Sequence, residues 1–172
     1  MRGRLALLAV AVLASALLVS SAGATLSPAE QAWIAPLVKV WNLQNSSLKV
    51  VIAQALKPNA LVAGEKPDNL NLTNTLVALA DCKQPKDRIK LAGKPPTARL
   101  NTFVTALDAA CSDNEQGAEA FTKAMVAYTA DKGTLTKQLL TQGVADFKKG
   151  TAELTAAYKA ITNLGGKKLF TA

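Results

Sequence analysis

The 172-residue chain lacks the side chain on which many hydrolytic and metal-dependent mechanisms rely, because it contains no histidine. This absence excludes Ser-His-Asp and Cys-His catalysis, HExxH zinc sites and histidine-ligated haem. No CxxC pair occurs, and no nucleotide-binding or calcium-binding loop motif follows the first 24 residues. We therefore expect a protein that is not an enzyme and that has no metal site and no cofactor.

The acidic residues give little support for acid–base chemistry. Glu115 and Glu119 are one helical turn apart, but a predicted capping box just before them places both at a helix N-terminus, where the helix dipole favours acids. Asp146 and Glu153 share one face of a predicted helix with two lysines between them, which we interpret as a solvated surface. No carboxylate pair is predicted to be catalytic.

Two cysteines, Cys82 and Cys111, are predicted to form a disulfide. Both fall on apolar faces of predicted helices, and export to an oxidising compartment favours pairing. Closing a loop of about 29 residues would stabilise the fold by roughly 3 to 3.5 kcal/mol in the chain-entropy model. Because a disulfide needs Cα atoms within about 7 Å, a bonded pair requires the second and third helices to run parallel or to cross steeply. Two buried free thiols would instead fit a simple up-and-down bundle.

Positive charge is concentrated in one segment of the chain. We interpret residues 84–96 as a proline-bearing connector with at most one helical turn, around Ile89. Residues 83–99 carry six basic side chains against the single acid Asp87. Such a segment would be attracted to an anionic envelope polymer, a membrane surface or an acidic protein. A soluble basic loop without a partner is the alternative, and nucleic acid is disfavoured because no aromatic residues alternate with the basic ones. The candidate binding residues are Lys83, Lys86, Arg88, Lys90, Lys94 and Arg99.

Three aromatic residues are candidates for lining an apolar ligand site. Trp33 and Trp41 are eight residues apart, which places them two turns apart on one helix face. Together with Phe147 they could hold a small apolar ligand between helices, as helical bundles often do. As ordinary core residues they would need no ligand.

The first 24 residues have the pattern of a secretory signal peptide. Residues 1–4 include the basic residues Arg2 and Arg4. Residues 5–18 form an apolar run that spans about 21 Å as a helix, short of the ~30 Å hydrocarbon core. Ala22 and Ala24 fit the small-residue cleavage site, so we expect cleavage after Ala24 and a mature chain that begins at Thr25. The predicted location is secreted or extracytoplasmic.

Residues 25–172 are predicted to form a single all-α domain, a bundle of four to five amphipathic helices. A chain of about 150 residues buries enough surface for one core, and its apolar residues recur at helical spacing. The predicted helices run from a capping box at residues 27–30 to about 57, from 68–71 to 83, from Thr97 to Cys111, from a second capping box at Ser112 to 131, and from Thr134 to Leu164.

The apolar face of the fifth predicted helix contains two glycines, Gly143 and Gly150. Each costs about 1 kcal/mol relative to alanine, so close approach of a neighbouring backbone would explain their presence. A flexible point in a long helix is the alternative. Leu135, at the start of this face, and Tyr128, on the fourth helix, are also expected to point inward.

The sequence thus predicts a secreted, non-catalytic helical-bundle protein that binds or interacts with anionic partners through its basic connector. The alternative function is a carrier of a small apolar ligand held between helices. Asn45 and Asn71 begin N-x-[ST] sequons, which are used only in a host that has the glycosylation pathway.

Overall fold

The computed structural model describes residues 25–55, 69–80 and 83–170. Within these ranges the protein is mostly helical and contains no strand, which confirms the all-α prediction. The predicted signal peptide, the loop around 58–67 and Cys82 lie outside the described residues. The α-helices of the described ranges are α1 (Pro28–Ala55), α2 (Asn69–Ala80), α3 (Lys83–Ala92), α4 (Asn101–Thr129) and α5 (Gly133–Thr162), with short 3₁₀ helices at Ala98–Leu100 and Gly166–Phe170.

The helix α1 begins at the predicted capping box. The Ser27 backbone N–H donates to Oε2 of Glu30 at 2.8 Å, and the Glu30 backbone N–H donates to Oγ of Ser27 at 3.3 Å. Each residue therefore satisfies a backbone donor that the first helical turn leaves without a partner. The helix continues through Pro36, and Leu37 and Val51 on its apolar face are fully buried. No described helix, α1 included, is long and apolar enough to cross a membrane.

The predicted break at Ser112 is wrong, because α4 is one continuous helix. Apolar residues on the same face, including Leu107 and Ala118, are fully buried on both sides of Ser112. This continuous stripe outweighs the local capping pattern, since tertiary packing supplies most of the stability of a protein helix. Glu115 and Glu119 accordingly lie in the middle of α4 and not at its N-terminus.

The predicted connector is also largely wrong, because most of it forms α3. Pro85 lies in the first turn of this helix, where a missing N–H breaks no helical hydrogen bond. The helix ends at Ala92. The next residue, Gly93, adopts a left-handed φ of 68° and donates its N–H to the Lys90 carbonyl at 3.1 Å. Ile89 packs against the core and is partly buried, so α3 belongs to the bundle.

The helices α4 and α5 form an antiparallel hairpin, joined by the short loop 130–132. Two glycine–phenylalanine contacts of the same kind hold it together, because Gly117 faces the Phe147 ring and Gly143 faces the Phe121 ring. A Cβ atom would lie 2.7 Å from the Phe147 ring and 2.4 Å from the Phe121 ring. The two rings also contact each other, with centroids 5.3 Å apart. Close packing, and not flexibility, therefore explains Gly143.

The first helix runs parallel to α4 and antiparallel to α5. The Leu26 N–H donates to the Leu164 carbonyl at 3.0 Å, and Trp41 Nε1 donates to the Leu154 carbonyl at 2.7 Å. Helix α2 packs on α1 and α4, and α3 packs on the same two helices. The outer side of α5 therefore faces away from α2 and α3.

The apolar face of α5 follows the prediction from Gly143 to Ile161, which are both buried. Its first member does not, because the Leu135 side chain is 42% exposed. Tyr128 is also 51% exposed, so the expectation that both point inward is wrong. Both residues lie within a few positions of the loop 130–132, at the end of the hairpin, where helical periodicity continues but neighbouring side chains become fewer.

Candidate functional site

Among the described residues, the most strongly bonded polar site joins the start of α1 to the 3₁₀ helix Ala98–Leu100, which precedes α4. Glu30 is 1% exposed, and its carboxylate accepts from Nε of Arg99 at 2.7 Å, from Nη2 of the same residue and from the Thr97 hydroxyl. The Arg99 guanidinium holds the pKa of Glu30 well below its usual range, and the hydrogen bonds from Thr97 and Ser27 act in the same direction. Arg99 Nη2 also donates to the Thr25 carbonyl at 3.1 Å. We call this pair of Glu30 and Arg99 the clamp. Its role is structural, because the Glu30 carboxylate is already engaged in hydrogen bonds and is not free for acid–base catalysis.

Arg99, one of the predicted partner-binding residues, is bonded within the protein. Its guanidinium is already engaged by a buried carboxylate in a two-pronged geometry, which is among the strongest hydrogen-bonding arrangements in proteins. Lys90 and Lys94 are also exposed, but they differ from Arg99 because neither forms an ion pair with another residue of the described ranges. The structure places Lys83, Lys86 and Arg88 on α3, but their side chains are not among those that it describes.

One exposed apolar side chain accompanies these lysines. Leu91 is 85% exposed, although Ile89, two residues earlier on α3, is partly buried. The reason is the orientation of the helix, because Trp33 Nε1 donates to the Ala92 carbonyl at 2.6 Å and Ile89 packs inward. Leu91 was not predicted as a functional residue. Its exposure could have been predicted from the sequence. Leu91 is two residues after Ile89, which places it about 200° around the helix from that inward-facing side chain.

The predicted apolar-ligand residues are not brought around one space. Trp33 contacts the end of α3, whereas Trp41 packs on Tyr158 and Phe170 with ring centroids 5.7 and 4.9 Å away. Phe147 is 1% exposed and lies between α4 and α5. The three side chains therefore fill three different parts of the structure.

Asp146 is 1% exposed, so its interpretation as part of a solvated surface is wrong. It lies within about 60° of both Gly143 and Gly150 around α5, and these two glycines face α4. Its carboxylate accepts from Nε2 of Gln142 at 2.8 Å and from Nζ of Lys149 at 3.3 Å. The negative charge is thus compensated by residues of its own helix.

A buried amide pair links three helices at the centre of the bundle. Asn114 Nδ2 donates to Oε1 of Gln44 at 2.8 Å, and Gln44 Nε2 donates to the Ala78 carbonyl at 3.3 Å. Both amide side chains are fully buried, and Oδ1 of Asn114 has no hydrogen-bond partner among the described residues. That oxygen points at Gly150, where an added Cβ would lie 2.1 Å away. Gly150 therefore allows α5 to pass directly over the amide.

Cys111 is fully buried on α4, as its apolar position suggested. Cys82 lies outside the described residues, so the disulfide between them stays a prediction. Among the side chains that the structure describes, no group of three His, Cys, Asp or Glu residues is placed to hold a metal ion.

Comparisons of the chain with protein-family models, with curated proteins and with solved structures found no match. The fold defines the class, that of all-α proteins. Within this class, the features that point to a function are on the surface, because the buried polar side chains described above are bonded to other residues of the protein.

Proposed function

We propose that the protein is a secreted, non-catalytic helical protein that binds an anionic membrane surface through α3. The observation that carries this proposal is the 85% exposure of Leu91 between the exposed residues Lys90 and Lys94. A protruding apolar side chain beside cations is typical of segments that lie in the membrane interface, where the apolar group enters the acyl boundary and the cations meet the headgroups.

The charge around α3 favours such a surface. Residues 83–94 contain five basic residues and one acid. Each lysine or arginine near an anionic membrane contributes about 1 kcal/mol, and burial of a leucine side chain contributes about 1.5 to 3 kcal/mol. These contributions support reversible attachment, which is weaker than the insertion of a spanning helix.

The chemistry of the interior supports a non-catalytic role. The chain has no histidine, and Glu30 and Asp146, its buried carboxylates in the described ranges, are both bonded to a basic side chain. The carrier function remains the alternative from the sequence, but no observation favours it, because Trp33, Trp41 and Phe147 do not surround a common space.

Co-sedimentation with vesicles tests the proposal. The purified protein should bind vesicles that contain phosphatidylglycerol and should bind pure phosphatidylcholine vesicles much more weakly. Leu91→Gln should weaken binding about tenfold, since it removes roughly 1.5 kcal/mol or more of apolar burial. Leu43→Gln is the matched control, because Leu43 is also an exposed leucine, at 51%, but lies on α1 away from the basic segment.

Equal binding to both vesicle types would exclude the electrostatic part of the proposal. Equal losses in Leu91→Gln and Leu43→Gln would show that α3 is not the binding segment. The thermal midpoint of Leu91→Gln should match that of the unsubstituted protein, because the side chain is almost fully exposed.

A further inference from the structure

A second cationic surface lies along the outer side of α5. Lys137, Lys148 and Lys159 are all exposed, and none of them forms an ion pair with a residue of the described ranges. They are spaced eleven residues apart, which is close to three helical turns, so successive lysines are displaced by only about 20° around the helix and about 16 Å along it. The three charges therefore form a straight row about 33 Å long.

The surface between these lysines includes two threonines and carries no acid. Thr141 and Thr155 are exposed on the same side, and their hydroxyls donate to backbone carbonyls of α5, which leaves each hydroxyl oxygen free to accept. Asp146 is buried, and Glu153 is about 140° around the helix from Lys148. The row is therefore not neutralised by the acids of its own helix.

Neighbouring helices leave this side of α5 open. The described elements that pack on α5 are α4, α1 and the 3₁₀ helix Gly166–Phe170, whereas α2 and α3 have no extensive contact with it. Residues on the outer side, such as Ala145 and Ala152, are exposed and small. An extended chain could therefore lie along α5 without steric obstruction from a large side chain.

We propose that the row Lys137–Lys148–Lys159 binds a linear anionic polysaccharide that lies along α5. A one-dimensional array of charges complements a linear polymer, and lysine contacts a carboxylate or sulfate as a compact charge with little demand on geometry. The threonine hydroxyls offer hydrogen bonds to sugar hydroxyls between the charges. This inference does not rest on the proposed function, because the row and α3 lie on different parts of the bundle.

Two other occupants fit the row less well. A membrane is disfavoured because no large apolar side chain projects among these lysines, in contrast to Leu91 on α3. Single-stranded nucleic acid is disfavoured because the row contains no aromatic residue on which bases could stack.

Calorimetric titration of the full chain with heparin oligosaccharides of defined length tests the proposal. Affinity should rise with length until the oligosaccharide spans about 33 Å and should then level off, because all three lysines are engaged. The triple variant K137Q/K148Q/K159Q should lose about tenfold in affinity, as three exposed charge pairs of roughly 0.5 kcal/mol each would predict.

The matched control is K39Q/K49Q/K123Q, which removes the same charge from exposed lysines on α1 and α4. This control should bind the long oligosaccharide with less than a threefold loss. Equal losses in the two triple variants would show that net charge alone acts, and an affinity independent of length would exclude the linear row. If K137Q/K148Q/K159Q instead lost binding to phosphatidylglycerol vesicles and kept its affinity for heparin, α5 would be a membrane surface and the proposal would be overturned.

The same titration separates this inference from the proposed function. Leu91→Gln should bind the oligosaccharides like the unsubstituted protein, whereas K137Q/K148Q/K159Q should retain vesicle binding within a few-fold. A heparin defect in Leu91→Gln as large as that of the triple variant would place polysaccharide binding on α3 and would contradict the inference.

Discussion

Replacing Gly143 by alanine should destabilise the protein, although alanine is the better helix former. The new Cβ would lie 2.4 Å from the Phe121 ring and 3.1 Å from the Gly117 carbonyl oxygen, whereas ordinary carbon contacts begin near 3.4 Å. The ring would have to move by about 1 Å, but it is 4% exposed and also packs against Phe147. Helix propensity favours the variant by about 1 kcal/mol, and overpacking costs about 1 to 3 kcal/mol. Because both neighbours are held in place, we expect the overpacking cost to lie at its upper end, about 3 kcal/mol, which leaves a net loss of about 2 kcal/mol.

Urea unfolding followed by circular dichroism measures this effect. The midpoint of Gly143→Ala should fall without a change in slope, since the native and unfolded states keep their compactness. Gly133→Ala is the matched control, because Gly133 opens the same helix and an added Cβ there meets nothing within 4 Å. This variant should be at least as stable as the unsubstituted protein.

A second background isolates the ring as the cause. In a Phe121→Leu protein the ring is gone, so the added methyl group at Gly143 should be neutral or should stabilise through helix propensity by up to about 1 kcal/mol. The reasoning would be refuted if Gly143→Ala were as stable as the unsubstituted protein, or if it had the same effect in both backgrounds.

Three further predictions concern the remaining buried groups. The low pKa of Glu30, caused first by its arginine partner, means that its stabilising contribution is complete above the ordinary value of 4.5 and is lost as the pH falls below it. Glu30→Gln should therefore flatten the dependence of unfolding free energy on pH between about pH 5 and pH 2. Gln44→Met should lower the unfolding free energy by about 1 to 3 kcal/mol in urea titrations, because it leaves the buried Asn114 donor without its acceptor. If Cys82 and Cys111 are bonded, mass spectrometry should find the chain two hydrogens lighter than its dithiol form, and reduction should lower stability by roughly 3 kcal/mol.

These outcomes have direct controls. Glu119→Gln is the control for the loss of one carboxylate, because the ion pair of Glu119 with Lys123 is exposed to solvent and contributes little to stability. A pH profile of Glu30→Gln that parallels the unsubstituted profile would contradict the clamp. A Gln44→Met protein of unchanged stability would contradict the buried amide link, and a dithiol mass under oxidising conditions would exclude the disulfide.

The sequence was sufficient where local chemistry and tertiary packing agree. Ser27 and Glu30 form the capping box that their spacing predicts, and the buried face of α5 from Gly143 to Ile161 follows the helical repeat. For the presence of Gly143 on this face, the sequence offered two explanations, close packing and flexibility. The partner that decides between them, Phe121, could not be identified without the register of α4 against α5.

The sequence was insufficient where a local pattern competes with a distant contact. The residues after Ser112 resemble a helix start, but Asn114 is bonded to Gln44, 70 residues earlier, and the helix continues. Arg99 looks like one of six equivalent cations, and only the folded chain brings it to Glu30. The solvated interpretation of Asp146 failed for a similar reason, because nearby lysines in sequence say little about which side of a helix faces its neighbour.

The two tryptophans make α1 visible to spectroscopy. Trp33 and Trp41 are the only tryptophans of the chain, both lie on α1, and each donates its indole N–H to a carbonyl of another helix. Intrinsic fluorescence therefore reports whether α1 is docked, whereas circular dichroism reports helix content throughout. The α4–α5 hairpin closes through a short loop, but the Trp41 contact joins residues 113 positions apart and carries a larger entropic cost of closure. The emission spectrum thus reports the helix contact of larger sequence separation. A fluorescence change ahead of the loss of ellipticity would mark the departure of α1 from an intact hairpin.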